Sequence, residues 1–125
     1  MFGFTLTLPL ALVFATPQPS AEIVELESGK VALLLGDVTG KGLGAALVMA
    51  MAQSHVRAAL AAGEDLGEAI DAVNAYITRH SGENEFISLF VGVMDPASRR
   101  LEFVDAGHGY AIVARAGGET KTLEA

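Results

Sequence analysis

The stretch GDVTGKGLGAAL, residues 36–47, follows the apolar run VALLL at residues 31–35 and leads into an alanine-rich segment. Its acid, Asp37, stands where a buried β-strand should end, and three glycines follow it. An ionised carboxylate at such a place is poorly solvated and needs compensation. Hydrogen bonds from its own turn or a helix cap could supply it, and so could a divalent cation, because hard cations select carboxylate and carbonyl oxygens. Residue chemistry alone leaves both explanations open.

Two glycine-rich phosphate loops do not fit this stretch. A P-loop needs four residues between its first glycine and the Gly-Lys pair, followed by Ser or Thr. Here only three residues separate Gly36 from Gly40, and Gly42 follows Lys41. A dinucleotide fingerprint is formally met by Gly40, Gly42 and Ala45, but it requires a second parallel strand after the helix, where a further helix is predicted. Both comparisons argue against nucleotide binding.

The composition is typical of one acidic globular domain, which we assign to residues 1–125. Hydrophobic residues make up 51% of the chain, enough for a sizeable core. Cysteine is absent, which excludes disulfides and thiolate metal sites. The net charge of −7 repels phosphate backbones, so we expect no nucleic-acid partner.

The first sixteen residues, MFGFTLTLPLALVFAT, are almost wholly apolar. A secretory signal normally carries a positive charge ahead of such a run, but no Lys or Arg precedes Lys30, and the run is too short to span a bilayer as a helix. Large apolar residues at alternate positions from Phe4 to Phe14 favour a buried strand or a pair of strands, with a bend at Pro9. A targeting segment is the alternative. We expect a soluble, cytoplasmic protein with no membrane partner.

Two helices are predicted to follow a hairpin. Residues 21–28 alternate loosely and end at Gly29, which indicates a turn into the strand at 31–35. Residues 43–62 consist mainly of strong helix formers, and Gly63 is a plausible stop. In this helix a narrow stripe of small and apolar side chains comprises Leu43, Leu47, Ala50, Met51, Ser54 and Ala58.

The second helix has a start signal, and the pattern after it changes period. Asp65 with Glu68 resembles a capping box, and apolar spacing continues to about residue 80. Apolar strands are then predicted at 86–94, 101–107 and 111–116, with a turn at 95–98. Two consecutive helices between antiparallel strands indicate an α+β fold.

Two blocks of this sequence resemble a known family. Residues 36–50, GDVTGKGLGAALVMA, are similar to the G-D-V-[ST]-G-[KH]-G-x-x-A-A-L-x-M-A signature of the sporulation stage II protein E branch of the protein phosphatase 2C-like superfamily. Residues 86–115, FISLFVGVMDPASRRLEFVDAGHGYAIVAR, resemble its T-L-F-x-x-x-x-D-x-x-x-x-x-L-x-x-x-N-A-G-H-x-P block. The resemblance covers about residues 22–116.

The resemblance implies a fold and an activity. The fold is an α-β-β-α sandwich of antiparallel sheets, present here in part, with the two consecutive helices packed on one sheet. The activity is hydrolysis of phosphoserine or phosphothreonine in a regulatory protein such as an anti-anti-sigma factor, with Mn²⁺ or Mg²⁺ as cofactor. By correspondence with the family, Asp37 is the catalytic carboxylate that bridges the metal ions, and Val38 ligates through its carbonyl. Gly40, Lys41, Gly42 and His108 would line the site.

The sequence also departs from the family pattern. The two acids of the family's G-G-D-x-x-D motif fall near Pro19 and Glu22, and Asp105 and Gly109 replace asparagines beside Ala-Gly-His. The family's closing T-D-G motif would lie beyond residue 125, so we expect a truncated domain.

These departures leave two functions open. One is a metal-dependent serine/threonine phosphatase whose missing ligands come from elsewhere. The other is a non-catalytic, degenerate phosphatase module that acts as a protein-interaction or regulatory domain. Because truncation leaves sheet edges unpaired, self-association is a further expectation.

Overall fold

The chain forms two antiparallel sheets and two helices. The computed structural model describes residues 2–5, 10–14, 20–40, 42–82, 86–109 and 111–123. A five-stranded sheet has the order β1-β6-β5-β4-β3, with β1 Phe2–Thr5, β3 Ser20–Glu25, β4 Val31–Val38, β5 Ile87–Asp95 and β6 Arg100–Ala106. A three-stranded sheet has the order β2-β7-β8, with β2 Leu10–Phe14, β7 Ala111–Arg115 and β8 Thr120–Thr122.

The apolar first sixteen residues contain two strands, and these belong to different sheets. Strand β1 pairs antiparallel with β6, and β2 pairs antiparallel with β7. The predicted bend at Pro9 lies outside the described residues. The strand-pair interpretation is therefore confirmed for the part of this segment that the structure describes.

Strands β3 and β4 form the predicted hairpin. Ser20 lies opposite Gly36 and Glu25 lies opposite Val31. The connecting turn closes with a hydrogen bond of 2.9 Å from the Leu26 amide to the Lys30 carbonyl, and Gly29 has a φ of 79°. That left-handed conformation explains a glycine at this position.

Helices α1 (Leu43–Ala61) and α2 (Leu66–His80) follow each other directly. Gly63, with a φ of 80°, ends the first helix as predicted. The Asp65 carboxylate caps the second helix by accepting hydrogen bonds from the amides of Gly67 at 2.8 Å and Glu68 at 3.3 Å. Both helices pack on the same face of the five-stranded sheet.

The buried face of helix α1 differs from the narrow stripe of small and apolar residues noted in the sequence. Its buried side chains are Ala45, Met49, Ala52, Val56 and Leu60, whereas Leu43 and Leu47 are 76% and 53% exposed. Gly36 of β4 lets α1 approach closely, because a Cβ at this glycine would lie 2.8 Å from the Met49 sulfur.

By length and composition alone, α1 could cross a membrane; within the described residues it is the one helix with this property. Core helices of soluble proteins pass the same test. Here one face of α1 is buried against the rest of the fold, and Arg57 on the same helix forms an ion pair with Glu22 of β3.

Two separate apolar cores lie on the two faces of the five-stranded sheet. On one face, Leu34 and Val91 pack against Val56 and other side chains of α1 and α2. On the other face, Leu35 and Phe90 pack against side chains of β6 and the three-stranded sheet. The layers are therefore helices, sheet and sheet. This arrangement confirms the α+β fold and the partial α-β-β-α sandwich.

Candidate functional site

Asp37 lies at the exposed end of β4, one residue before the strand terminates. Its partner across the sheet is Ser88 of β5, whose hydroxyl lies 3.5 Å from the Asp37 carbonyl oxygen. Side chains alternate along a strand, so Asp37 shares the face of Leu35, which points toward the three-stranded sheet. We call this the inter-sheet face.

An open cavity of about 330 Å³ adjoins Asp37. Its walls come from three parts of the chain that are distant in sequence: the end of β4, the start of β5 and the end of β6. The lining residues include Asp37, Val38, Ser88 and Gly107. The structure thus brings together the two predicted metal-ligating residues and the glycine that precedes His108.

Thr39 fastens the end of β4 to the start of β5. Its amide donates to the Phe86 carbonyl at 2.8 Å, and its hydroxyl accepts from the Phe86 amide, also at 2.8 Å. The Thr39 hydroxyl also donates a hydrogen bond of 3.2 Å to the Phe86 carbonyl. These hydrogen bonds between Thr39 and Phe86 hold the wall of the Asp37 cavity in place.

The glycine-rich turn leads from Thr39 to α1. Gly40 and Gly42 have φ values of 102° and 90°, conformations that other residues rarely adopt, and both are exposed. Gly42 is the N-cap of α1, and among the described residues no side chain accepts a hydrogen bond at this end of the helix. Lys41, predicted to line the site, lies outside the described residues.

The Ala-Gly-His segment forms a tight loop around Asp105. The Asp105 carboxylate accepts hydrogen bonds from the His108 amide at 2.7 Å and from the Gly109 amide at 2.9 Å. His108 is only 4% exposed, and it does not line the cavity that Gly107 lines. His108 therefore directly follows the cavity-lining Gly107 in the sequence, but it is itself buried in the interior.

The described residues do not form a complete metal site. Among them, no group of three or more His, Asp or Glu side chains is close enough to hold an ion. Glu22, near the second acid of the family motif, pairs with Arg57, while Asp105 bonds its own loop. Pro19 lies outside the described residues. Among the described carboxylates at this end of the sheet, Asp37 is the one that lines an open cavity.

Three residues of this region were not predicted from the sequence: Thr39, Phe86 and Ser88. Ser88 interrupts an otherwise apolar strand, and that interruption is a signal that could have indicated a site residue. Thr39 and Phe86 gave no comparable signal, because their contact joins positions 47 residues apart.

Comparisons with known proteins give a consistent result. The sequence profile of the family described as Stage II sporulation protein E (SpoIIE) matches residues 27–125. The crystal structure of the RsbU and RsbW domains of Rv1364c from Mycobacterium tuberculosis is similar with a TM-score of 0.76 and 25% identity, over 93% of this chain and 35% of that one. The phosphatase domain of SpoIIE from Bacillus subtilis is similar in fold, with a TM-score of 0.61 and 18% identity, over 93% of this chain and 51% of that one.

The chain spans only about a third and about half of those two structures. Its fold agrees with theirs, and the family profile covers most of its length and includes both the Asp37 turn and the Ala-Gly-His loop. The chain therefore belongs to the Stage II sporulation protein E (SpoIIE) family, in the protein phosphatase 2C-like superfamily.

Proposed function

We propose that this chain contributes the Asp37 part of a serine/threonine protein phosphatase site. The observation that carries the proposal is the position of Asp37: exposed, at the end of β4, on the inter-sheet face and beside an open cavity. Family membership supports the reaction class that we propose, hydrolysis of a phosphoserine or phosphothreonine ester.

In this proposal Asp37 supplies a carboxylate oxygen, and Val38 supplies a backbone carbonyl, to Mn²⁺ or Mg²⁺. Both are ligand types that hard cations prefer. One carboxylate does not hold two such ions, so the described residues alone do not fit a two-metal centre. Hydrolysis then requires further carboxylates from outside the described residues or from another chain.

The substrate we propose is a phosphorylated regulatory protein, such as an anti-anti-sigma factor. Support comes from the Mycobacterium tuberculosis protein, in which an RsbU domain and an RsbW domain occur together. The uncapped N-terminus of α1 follows the Asp37 turn, and its partial positive charge favours a nearby anion such as a phosphate ester.

A second candidate function is phosphoprotein binding without turnover. The observation that favours it is the occupation of the neighbouring acids: Glu22 by Arg57, and Asp105 by the His108 and Gly109 amides. With those carboxylates occupied, the described residues could bind a phosphoprotein but would lack the ligands for catalysis.

Calorimetric titration with Mn²⁺, beside hydrolysis of an aryl phosphate, separates the two functions. Under the phosphatase proposal we expect metal binding, and turnover where the further carboxylates belong to this chain, with both lost in Asp37→Asn. The matched control is Asp71→Asn, because Asp71 is exposed on α2 and lines none of the cavities described here. Absence of both heat and turnover, with retained binding of a phosphoserine peptide, would favour the binding module. Absence of all three would contradict both functions.

A further inference from the structure

A second and larger cavity lies on the opposite face of the five-stranded sheet. It has a volume of about 570 Å³ and runs between the C-terminal half of α2 and the first residues of β5. We call it the α2 groove. Its apolar floor includes Ile77, Ile87 and Leu89, and its rim includes Asn74, Thr78 and Phe86.

The α2 groove is continuous with the Asp37 cavity. Phe86, Ile87 and Ala106 line both of them, so one molecule can occupy both without crossing another part of the fold. The Phe86 side chain is 65% exposed at this junction, and the hydrogen bonds to Thr39 hold its backbone. Aromatic side chains, Phe included, are enriched at protein interfaces, so an exposed ring between two cavities suits a recognition element.

The described lining of the α2 groove suits an uncharged side chain. None of its described lining residues carries a charge, although the chain has a net charge of −7. Its volume lies within the range of about 300–1,000 Å³ that ligand pockets occupy. Apolar walls with an amide and a hydroxyl at the rim suit an aliphatic or aromatic side chain that arrives on a peptide backbone.

We propose that the α2 groove is a specificity subsite that binds an apolar side chain of the phosphoprotein while its phosphorylated residue lies at Asp37. This inference rests on the proposed function, and it adds a sequence preference to it. The two cavities adjoin at Phe86, Ile87 and Ala106. Because an extended chain advances about 3.3 Å per residue, a side chain a few residues from the phosphoserine reaches an adjoining cavity.

Fluorescence anisotropy with labelled phosphoserine peptides tests the subsite without requiring turnover. The peptides are identical except for one leucine, placed at each position from two to four residues on either side of the phosphoserine, or replaced by serine. For the full chain we expect one leucine position to improve binding about tenfold over serine.

Two exposed positions on α2 provide a matched pair of variants. Thr78→Arg places a long charged side chain at the rim of the α2 groove, and we expect it to abolish the leucine preference. Ala75→Arg introduces the same side chain at an exposed position that does not line the groove, and we expect it to keep the preference. Phe86→Ala, at the residue before β5, tests the same rim if Thr78→Arg fails to fold by circular dichroism.

The outcomes separate the subsite from the proposed function. Leucine preference lost in Thr78→Arg or Phe86→Ala, but kept in Ala75→Arg, supports the subsite. Phosphate-dependent binding with no leucine preference at any position overturns the subsite and leaves the proposed function standing. Absence of phosphate-dependent binding with every peptide overturns both.

Discussion

The carboxylate of Asp105 stabilises its own loop instead of binding a ligand. Its oxygens accept hydrogen bonds from the amides of His108 and Gly109, and these amides belong to a loop in which Gly107 and Gly109 have left-handed φ values of 85° and 72°. Since the loop contributes Gly107 to the Asp37 cavity, Asp105 positions that wall.

Replacing this carboxylate is expected to destabilise the protein. Asp105→Ala removes the acceptor for two loop amides, and hydrogen bonds to charged groups predict a loss of about 2 kcal/mol in the free energy of unfolding. Asp105→Asn retains one acceptor oxygen, so its loss should be the smaller one. Urea denaturation of both variants measures the difference; equal stability of Asp105→Ala and the wild type would contradict the assigned role.

Asp95 has a different and pH-dependent role in the turn between β5 and β6. The side chain and backbone of Ser98, and then the backbone of Ala97, donate hydrogen bonds that hold the pKa of Asp95 below its ordinary value of 3.8. A carboxyl whose pKa is lower in the folded state stabilises the fold above the unfolded pKa, and this contribution is lost as pH falls through the folded pKa.

We therefore expect Asp95→Asn to lower the melting temperature at neutral pH and to have a progressively smaller effect in acidic buffers below pH 3.8. Thermal unfolding of the wild type and variant over a series of buffers measures this. An effect of Asp95→Asn that stays constant down to strongly acidic pH would show that the carboxylate charge has no part in the turn.

Among the elements, α2 depends on its N-cap. Asp65 accepts from two amides of the first turn, and the adjacent Leu66 is buried, so fraying at this end would expose core. We expect Asp65→Ala to lower the free energy of unfolding by about 1 kcal/mol. Asp71→Ala, in the middle of the same helix and exposed, is the control. If both variants lose the same stability in urea, the cap is not the cause.

Helix α1 shows where periodicity was not enough. Small and apolar residues occur on most of its surface, so several stripes satisfy a helical spacing, and the stripe from Leu43 to Ala58 is not the face that the structure buries. Packing against the sheet determines which face of α1 is buried: the side that carries Met49 and Val56 lies against the sheet, with Met49 beside Gly36 of β4. Helix α2 has polar residues that confine its apolar face, and its buried Leu66 and Val73 fit the apolar spacing that the sequence predicts.

For the whole molecule, self-association through sheet edges stays a prediction, and the structure adds a condition to it. Strand β3 is an edge of the five-stranded sheet and carries Glu22 and Glu25, in a chain of net charge −7. Pairing of two such edges brings like charges together, which salt screens.

We therefore expect any dimer that forms through β3 to be favoured at high ionic strength. Light scattering of the purified chain at low and high salt measures this, and Glu25→Gln should increase association at low salt. A monomer at high protein concentration in both buffers would contradict self-association.

The sequence alone determined the order of the elements up to β7, the turn at Gly29, the cap at Asp65 and the family. These follow from local signals: residue propensity, spacing and two motif blocks that lie within short stretches. Only the tertiary structure decided which acids remain available for a ligand. Glu22 meets Arg57 of another element, and Asp105 meets amides oriented by two left-handed glycines, and both contacts depend on distances through space that spacing along the chain does not reveal. The α2 groove also could not be predicted from the sequence, because its walls come from a helix and a sheet that meet only when the chain folds.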